Sequence, residues 1–445
     1  MSLLSLVQQA VKQALSQGAT DAECTAAEGN EFSVSVRKGE VEQLKEAGSR
    51  GMGIRVLQGL RAGSAYTSDL TPEGVAKMVA SAIDNASVTG EDPFNALPDA
   101  KEFGQLTTDL QLAEPEPLDA AARIELARRA EAAALAADPR ITNSEGGSFE
   151  TYEGARYFAN SRGFAGEYRS SSCSLAAFPI AEQDGKMERD YWWTAARSSA
   201  RLEDAEFVGR KATERTLRRL GSRKVPTQKA PIVLESRVAR SLLGHLFEAV
   251  SGDSLYQEAS FLHGKLGQQV AAASVNIVDD STIPGLWGTT PFDAEGIPSR
   301  RTPVIENGVL TSYLLNTYTA RKLGLQTTGN ASRGLSGATF VGNGNFFLAA
   351  GVLTPEEIIA QAGTGLYVTE LLGHGVNIVN GDFSQGAAGL WIENGQLAYP
   401  VSEVTIAGNL QDMLMSIEAI GSDLEFRGSM ASPTILIREM TISGN

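Results

Sequence analysis

The sequence predicts an α+β protein in two halves, an N-terminal half of sheet-plus-helix units and a C-terminal half of mainly antiparallel strands with short helices. Three observations carry this. Residues 31–68 alternate apolar and polar positions around the turn signals Lys38-Gly39 and Gln58-Gly59, as half-buried hairpins do. Residues 119–138, DAAARIELARRAEAAALAAD, place strong helix formers at a helical period before Pro139 stops them. Beyond Pro226 the chain becomes Gly-rich, and near-identical Ile-Glu-Asn-Gly turns recur at 305–308 and 392–395. Asn-Gly between apolar runs signals a hairpin because both turn residues need positive φ.

Taken in order, the first 18 residues put Leu4, Val7, Val11 and Leu15 at helical spacing and read as an amphipathic helix rather than a leader, having no basic start or small-residue cleavage site. The hairpins of 31–68 follow. Thr71-Pro72-Glu73 then supplies a cap with Pro at the first helical position, and Val75, Val79 and Ile83 share one helix face. Residues 91–118 are Pro-rich without a sustained period and read as an irregular connection at a boundary. In the helix of 119–138 the inward stripe is Ile124, Ala127, Ala130 or Glu131, and Leu135. Strands return from Ile141 to Thr194, and a basic helix spans 205–220 before Gly221. Hairpins followed by a helix thus occur twice, which suggests a diverged internal duplication. The division expected is residues 1–225, with subunits at 1–100 and 119–225, and residues 226–445. In the second part Thr354-Pro355-Glu356-Glu357 forms a capping box opening a helix that stops near Gly363.

Composition narrows the function. The 445 residues, 42% hydrophobic, can bury a large core, and 38 Lys plus Arg against 53 Asp plus Glu give a net charge of −15. A field of that sign repels phosphates, so neither nucleic acid nor anionic lipid is an expected partner. No apolar run approaches the roughly 20 residues that cross a bilayer. Cys24 and Cys173 are too few and too isolated for a disulfide framework, which fits a reducing cytoplasm.

Motifs for chemistry are sparse. His245, His263 and His374 are the three histidines, no two spaced i, i+4 to share a metal on a helix. His245 with Glu248 reads as a surface pair, although a two-ligand site completed by distant groups is the alternative. Gly334-Leu335-Ser336-Gly337 lacks the spacing of a nucleophile elbow. Asp279-Asp280 and the pair Asp293 and Glu295 sit beside Gly, Pro or Ser and read as turn chemistry before catalytic carboxylates. Neither Gly51-Met52-Gly53 nor Gly342-Asn343-Gly344 completes a nucleotide-binding loop. The run Arg210, Lys211, Arg215, Arg218, Arg219, Arg223 and Lys224 falls at a predicted helix end, where cations complement the macrodipole.

Several spaced blocks nonetheless occur in a telling order: Thr142-Asn143-Ser144-Glu145-Gly146-Gly147, then Pro291-Phe292-Asp293-Ala294-Glu295-Gly296, then Ile305-Glu306-Asn307-Gly308, then Arg321-Lys322-Leu323-Gly324-Leu325 with Thr328-Gly329-Asn330, then Gly381 to Gly389 and Pro400 to Asn409. Over essentially the whole chain this resembles the TldD/PmbA family, once called modulators of DNA gyrase, on its PmbA (TldE) branch. The resemblance implies that a TldD-type chain carries an HExxxH helix, its two histidines binding zinc and its glutamate acting as general base, with a downstream cysteine completing the site. Here the matching stretch is Gly244-His245-Leu246-Phe247-Glu248-Ala249, so Gly244, His245 and Ala249 replace first ligand, base and second ligand, and no Cys follows Cys173. No metal and no cofactor are therefore expected in this chain.

What the resemblance implies is a non-metal subunit paired with a TldD-type partner that supplies the zinc, acting on unfolded peptides and small labile proteins, as in peptide-antibiotic maturation and antitoxin removal. Exposed strand edges suit extended peptides and make a homodimer of the isolated chain plausible. The loop with Glu370, Gly373, His374 and Gly375 reads as a plain turn, with the border of a substrate groove as the alternative, and a cleft between the halves is the expected working surface. A stand-alone hydrolase, using carboxylates or an unconventional metal site around His245, and a peptide-binding adaptor remain the competing readings.

Overall fold

The computed structural model describes residues 2–444. Helix α1 (Leu3–Ser16) begins where the Ser2 hydroxyl accepts the Ser5 N–H, and it buries Val7, Ala10, Val11 and Ala14. Leu15, expected on that face, is exposed because it lies one residue round the helix from Ala14, which makes the contact.

Strands β1 (Asp21–Arg37) and β2 (Glu40–Gln58) pair along their length, joined by Lys38 and Gly39 at φ 52° and 79°. After β3 (Arg61–Thr67), α2 (Pro72–Val88) starts at the Thr71 cap with Pro72 in its first turn. Then come α3 (Ala120–Ala137), β4 (Ile141–Asn160), β5 (Ala165–Gln183), β6 (Lys186–Arg189), β7 (Trp192–Ala196) and α4 (Ala205–Leu217). The strands form one sheet in the order β3-β2-β1-β4-β5-β6, with β7 also on β5. Its centre is the antiparallel pairing of β1 with β4, from Glu23 opposite Asn160 to Val36 opposite Gly147.

Both helix pairs cover the same face of this sheet. On β1 the residues Cys24, Ala26, Phe32, Val34 and Val36 all project to one side, since side chains alternate along a strand. The first two pack with α1 and α2, the others with α3 and α4. Glu131, read as one choice for an apolar stripe, is buried for another reason. Its carboxylate accepts the N–H groups of Lys38 and Gly39 at 2.8 and 3.0 Å and so clamps the β1–β2 turn onto α3. The opposite face is floored with small residues, among them Gly29, Ser33, Gly154, Ser170, Ser172 and Ser174, and it turns toward the C-terminal half.

That second half is built on β8 (Gln228–Leu234) and the following helix α5 (Ser236–Val250). Strands Gly365–Leu372, β8, Ile435–Ser443, Gln396–Asn409 and Asp382–Glu393 pair in that order, and the last pairs back onto the first, closing a ring. The ring is mainly antiparallel, but Leu366–Val368 run parallel to Ile232–Leu234, and elsewhere Phe346–Phe347 run parallel to Met430–Ala431. Both Asn-Gly turns take the left-handed conformation their sequence demands, Asn307 and Asn394 at φ 49° and 52°. Inside, Leu242, Leu246 and Ala249 of α5 share a core with Ile232, Leu366, Phe383 and Ile437.

Residues 91–118 strap the halves together. Gly104 donates to the Gly296 carbonyl, Leu106 to Pro291, Gly285 to Leu110 and Ser171 to Leu112. Close contact at the junction needs Gly53, where a Cβ would stand 1.6 Å from the Leu335 carbonyl oxygen. The Gly51-Met52-Gly53 sequence thus seats a loop of the other half. Beside it Glu23 bridges Arg55, at 3.0 Å, and Arg333 of the C-terminal half, all three side chains buried.

Only Arg215, in the last turn of α4, and Arg218, at its cap, stand where a cation complements the helix dipole. Helix α4 ends at Leu217, so Arg218 to Lys224 lie beyond it. Arg215 and Arg218 reach Glu235 at 2.9 and 3.1 Å, Arg219 reaches Glu370 at 2.7 Å, Lys224 reaches Glu403 at 3.2 Å, and Arg223 lies over the Tyr399 ring at 3.4 Å. Ion pairing across the junction outweighs the fractional charge at a helix end, which decays within one turn.

Candidate functional site: the cleft between the two halves

Two cavities lie between the small-residue sheet face and the C-terminal half. One, of about 490 Å³, has Ser33, Tyr152, Ser172 and Ser174 on the sheet side and Trp287 and Arg427–Ser429 opposite. A second, of about 270 Å³, is bounded by Thr25, Arg156 and Tyr168 on the sheet and by Trp287, Phe292, Asn330 and Gly344 across from it. The floor follows from alternation: every second residue of the run Ser170-Ser171-Ser172-Cys173-Ser174 faces the cleft, while Cys173 packs under α3 and α4.

The roof is held by cations on main-chain carbonyls. Arg427 pairs with Glu203 at 3.1 Å and Glu425 at 2.8 Å, donates to the Trp193 carbonyl, and lies 4.3 Å over Trp192. Arg197 donates to the carbonyls of Ser171, Gly285 and Leu286 and stacks 5.1 Å from Trp287. None of these roof residues stands out in the sequence. The Ser run was the one legible trace of the floor, because small polar residues at alternate positions of a long strand mark a face with no core against it.

Buried carboxylates underlie the second cavity. Asp293 accepts from the N–H groups of Glu295 and Ile297 at 2.9 Å each and from Ala331 at 3.0 Å. Burial, then the Glu295 carboxylate, pushes it up to about 7 against those donors. Glu295 accepts from the Thr317 N–H and hydroxyl and from Thr339, and burial raises it too. These two act as struts for the turn, in keeping with the turn chemistry of their sequence. Asp279 and Asp280 differ: they lie in the short strand Ile277–Asp280, not in a turn. Burial pushes Asp279 up to about 6, Asn330 donates to its Oδ2 at 2.7 Å, and its Oδ1 has no partner. Thr25 Oγ1, on a residue 3% exposed beside the same cavity, is also without a partner. Hydroxyls, main-chain groups and the arginines Arg156 and Arg427 thus line the cleft.

The positions matching the zinc motif lie on α5. A Cβ on Gly244 would meet nothing within 4 Å. His245 is half-buried, its ring 6.5 Å from that of Phe383, and burial holds it below the usual histidine range against the attraction of Glu248. Ala249 is wholly buried in the core. A zinc site needs three protein ligands in catalytic geometry, and this helix presents one imidazole. Cys24 and Cys173 are buried in the other half, burial pushing the Cys173 thiol up to about 12. Among the described residues no group of three or more His, Cys, Asp or Glu is arranged to hold a metal ion. The side chains present at the motif positions do not fit zinc.

Glu370 forms the ion pair with Arg219, Gly373 turns the chain at φ 88° with its carbonyl accepting from Gln385, and His374 is exposed. Gly375 passes so near Ser384 that a Cβ would stand 1.8 Å from its carbonyl oxygen. None of these four residues lines the two cleft cavities. Phe383 pairs with Val376 and faces His245, so this turn and the altered motif share one end of the closed ring. Among the described residues no helix is long and apolar enough to cross a membrane.

Comparison with known proteins agrees along the whole chain. Models of the PmbA/TldA metallopeptidase family match residues 22–86 as domain 1, 113–220 as the central domain and 227–444 as the C-terminal domain. Metalloprotease PmbA of Escherichia coli O157:H7 is 42% identical over 99% of this chain and 96% of its own length. A solved structure of a proposed modulator of DNA gyrase from Bacteroides thetaiotaomicron superposes with a TM-score of 0.92 at 29% identity, covering 99% of this chain and 98% of the other. TldE from Thermococcus kodakarensis shares the fold, with a TM-score of 0.88 at 21% identity over 99% of this chain and 100% of its own. With an α+β architecture, three family domains in order and a relative of this identity end to end, the chain belongs to the PmbA/TldD family.

Proposed function

We propose that this chain is the PmbA/TldE-type subunit of a cytoplasmic two-chain peptidase, shaping the site that receives unfolded peptides or small labile proteins while a TldD-type partner supplies the zinc. One observation supports the reading: α5, to which the resemblance assigns the family's metal helix, packs into the core and carries Gly244, His245 and Ala249 at the three motif positions. The cleft, floored by hydroxyls and roofed by Arg427 and Trp287, supplies contacts that grip a main chain with little demand on side-chain sequence.

The test combines metal analysis with peptidase assays on the isolated chain, on a TldD-type chain, and on the two mixed. The expected result is no stoichiometric zinc and no activity in the isolated chain, with co-sedimentation and activity in the mixture. Stoichiometric zinc or turnover by the isolated chain would overturn the proposal in favour of a self-sufficient hydrolase. Peptide binding without any association with the partner would instead establish an adaptor.

A further inference from the structure

The cations of the basic run converge with the start of α5 on a third cavity, of about 340 Å³, which shares only Arg427 with the two in the cleft. Lys211, Arg215 and Arg218 come from α4 and its end, Arg237 and Arg240 from α5, and Arg427 from the roof. Four carboxylates stand against these six cations. Asp190 on Arg215 and Glu203 on Arg427, just outside the lining, bring the acids to six, so what sets the cavity apart is which cations they leave unpaired.

Most of these charges are already paired. Lys211 pairs with Glu214 at 2.9 Å, Arg215 and Arg218 share Glu235, and Arg427 takes Glu425 at 2.8 Å. Arg237 and Arg240 have no carboxylate partner among the described residues, and the remaining acid, Glu356, is exposed at the first turn of another helix. Arg237 stacks against Tyr191 and Trp193 at 4.6 and 4.7 Å, which occupies the face of its guanidinium; apart from one long contact, 3.4 Å to the Tyr191 carbonyl, its N–H edge is left over.

One further feature points to an anion. Helix α5 has 15 residues, and its cap, Glu235, makes no side-chain bond to the first turn because both its carboxylate oxygens are committed to arginines. The first-turn N–H groups are therefore left without a side-chain acceptor from the cap.

We propose that this cavity binds a compact oxyanion, a carboxylate or phosphate group, held by Arg237 and Arg240 at the first turns of α5. Guanidinium groups grip such groups through paired N–H donors, and the volume admits the oxyanion with a small attached moiety. The site is independent of the two-chain reading, since Arg237 and Arg240 belong neither to the cleft nor to the motif positions.

The full chain is titrated by calorimetry and by tryptophan fluorescence, Trp192 and Trp193 lining the cavity. The probes are inorganic phosphate, citrate, and trialanine with a free or an amidated C-terminus. At least one oxyanion probe is expected to bind, more weakly as salt is added. Arg240→Ala should weaken it about tenfold, as loss of a charge-assisted bond does. Phosphate binding alone assigns the source to phosphate; binding of free but not amidated trialanine assigns it to a terminal carboxylate. Because Arg237→Ala disturbs an aromatic stack, Arg240→Ala and Arg240→Glu carry the test. Absence of binding by every probe into the millimolar range, or affinity unchanged in both Arg240 variants, overturns the proposal.

Discussion

Replacing Glu23 with Gln removes the charge that joins the first strand of the sheet to the C-terminal half. Its carboxylate bridges Arg55 and Arg333, with side-chain exposures of 1%, 7% and 3%, so solvent screens none of the three appreciably. At an effective dielectric of about 20, the pair with Arg55 is worth about 5 kcal/mol before desolvation. Removing one member of such a buried pair costs about 3 to 5 kcal/mol because the remaining charge is left uncompensated. Gln keeps an acceptor oxygen, which places Glu23→Gln near the low end, about 3 kcal/mol. Arg333→Met and the double variant complete a cycle, read from urea unfolding by tryptophan fluorescence at pH 7. A coupling of about 2 kcal/mol is expected between residues 310 apart in sequence. A coupling below about 0.5 kcal/mol, the level at which distant sites simply add, would refute the bridge as a link between halves. Burial raises the Glu23 carboxyl, but Arg333 and Arg55 together hold it below its ordinary value of 4.5. Its contribution is therefore complete above that value and fades as pH falls through the depressed folded value.

Gly244 sits mid-helix with open space at its Cβ, so Gly244→Ala is expected to raise stability by about 0.5 to 1 kcal/mol in chemical denaturation, and a loss would contradict the reading of that position. Ala249 is 0% exposed, so Ala249→His should cost about 2 kcal/mol or more through overpacking. Restoring the full motif as Gly244→His, His245→Glu and Ala249→His should then yield no stoichiometric zinc by elemental analysis; a folded, zinc-loaded triple variant would be the contrary result. Asp279 and Asp293, raised from 3.8 to about 6 and about 7, bind protons more tightly folded than unfolded. Their contribution is full below pH 4 and is lost as pH rises through those values, with a slope of up to about 1.4 kcal/mol per pH unit for each. The thermal midpoint should accordingly fall from pH 5 to pH 8, and less so in Asp293→Asn; a midpoint that rises across this range would be decisive against it.

Local chemistry made much of the architecture legible. Thr71 and Thr354 cap the helices they announce, and Lys38-Gly39, Asn307-Gly308 and Asn394-Gly395 turn where positive φ was required. These features depend on neighbours a few residues away, and the sequence states such neighbours directly. Which side chains stand at positions 244, 245 and 249 is likewise read from the sequence, because residue identity alone settles which of them can ligate. Other assignments turned on partners far along the chain. Glu131 became a buried clamp because the β1–β2 turn folds onto it, 93 residues away. The basic run pairs with Glu235, Glu370 and Glu403 because those acids arrive from the other half. Asp279 ended in a strand because Asn330 and the Phe346 strand close around it. The cleft itself has a floor from three strands and a roof from Trp287 and Arg427, more than 100 residues beyond it. Capping, turn geometry and ligand identity are thus properties of the sequence by itself, whereas burial, ion pairing and cavities belong to pairs of segments, and only tertiary packing decides which segments meet.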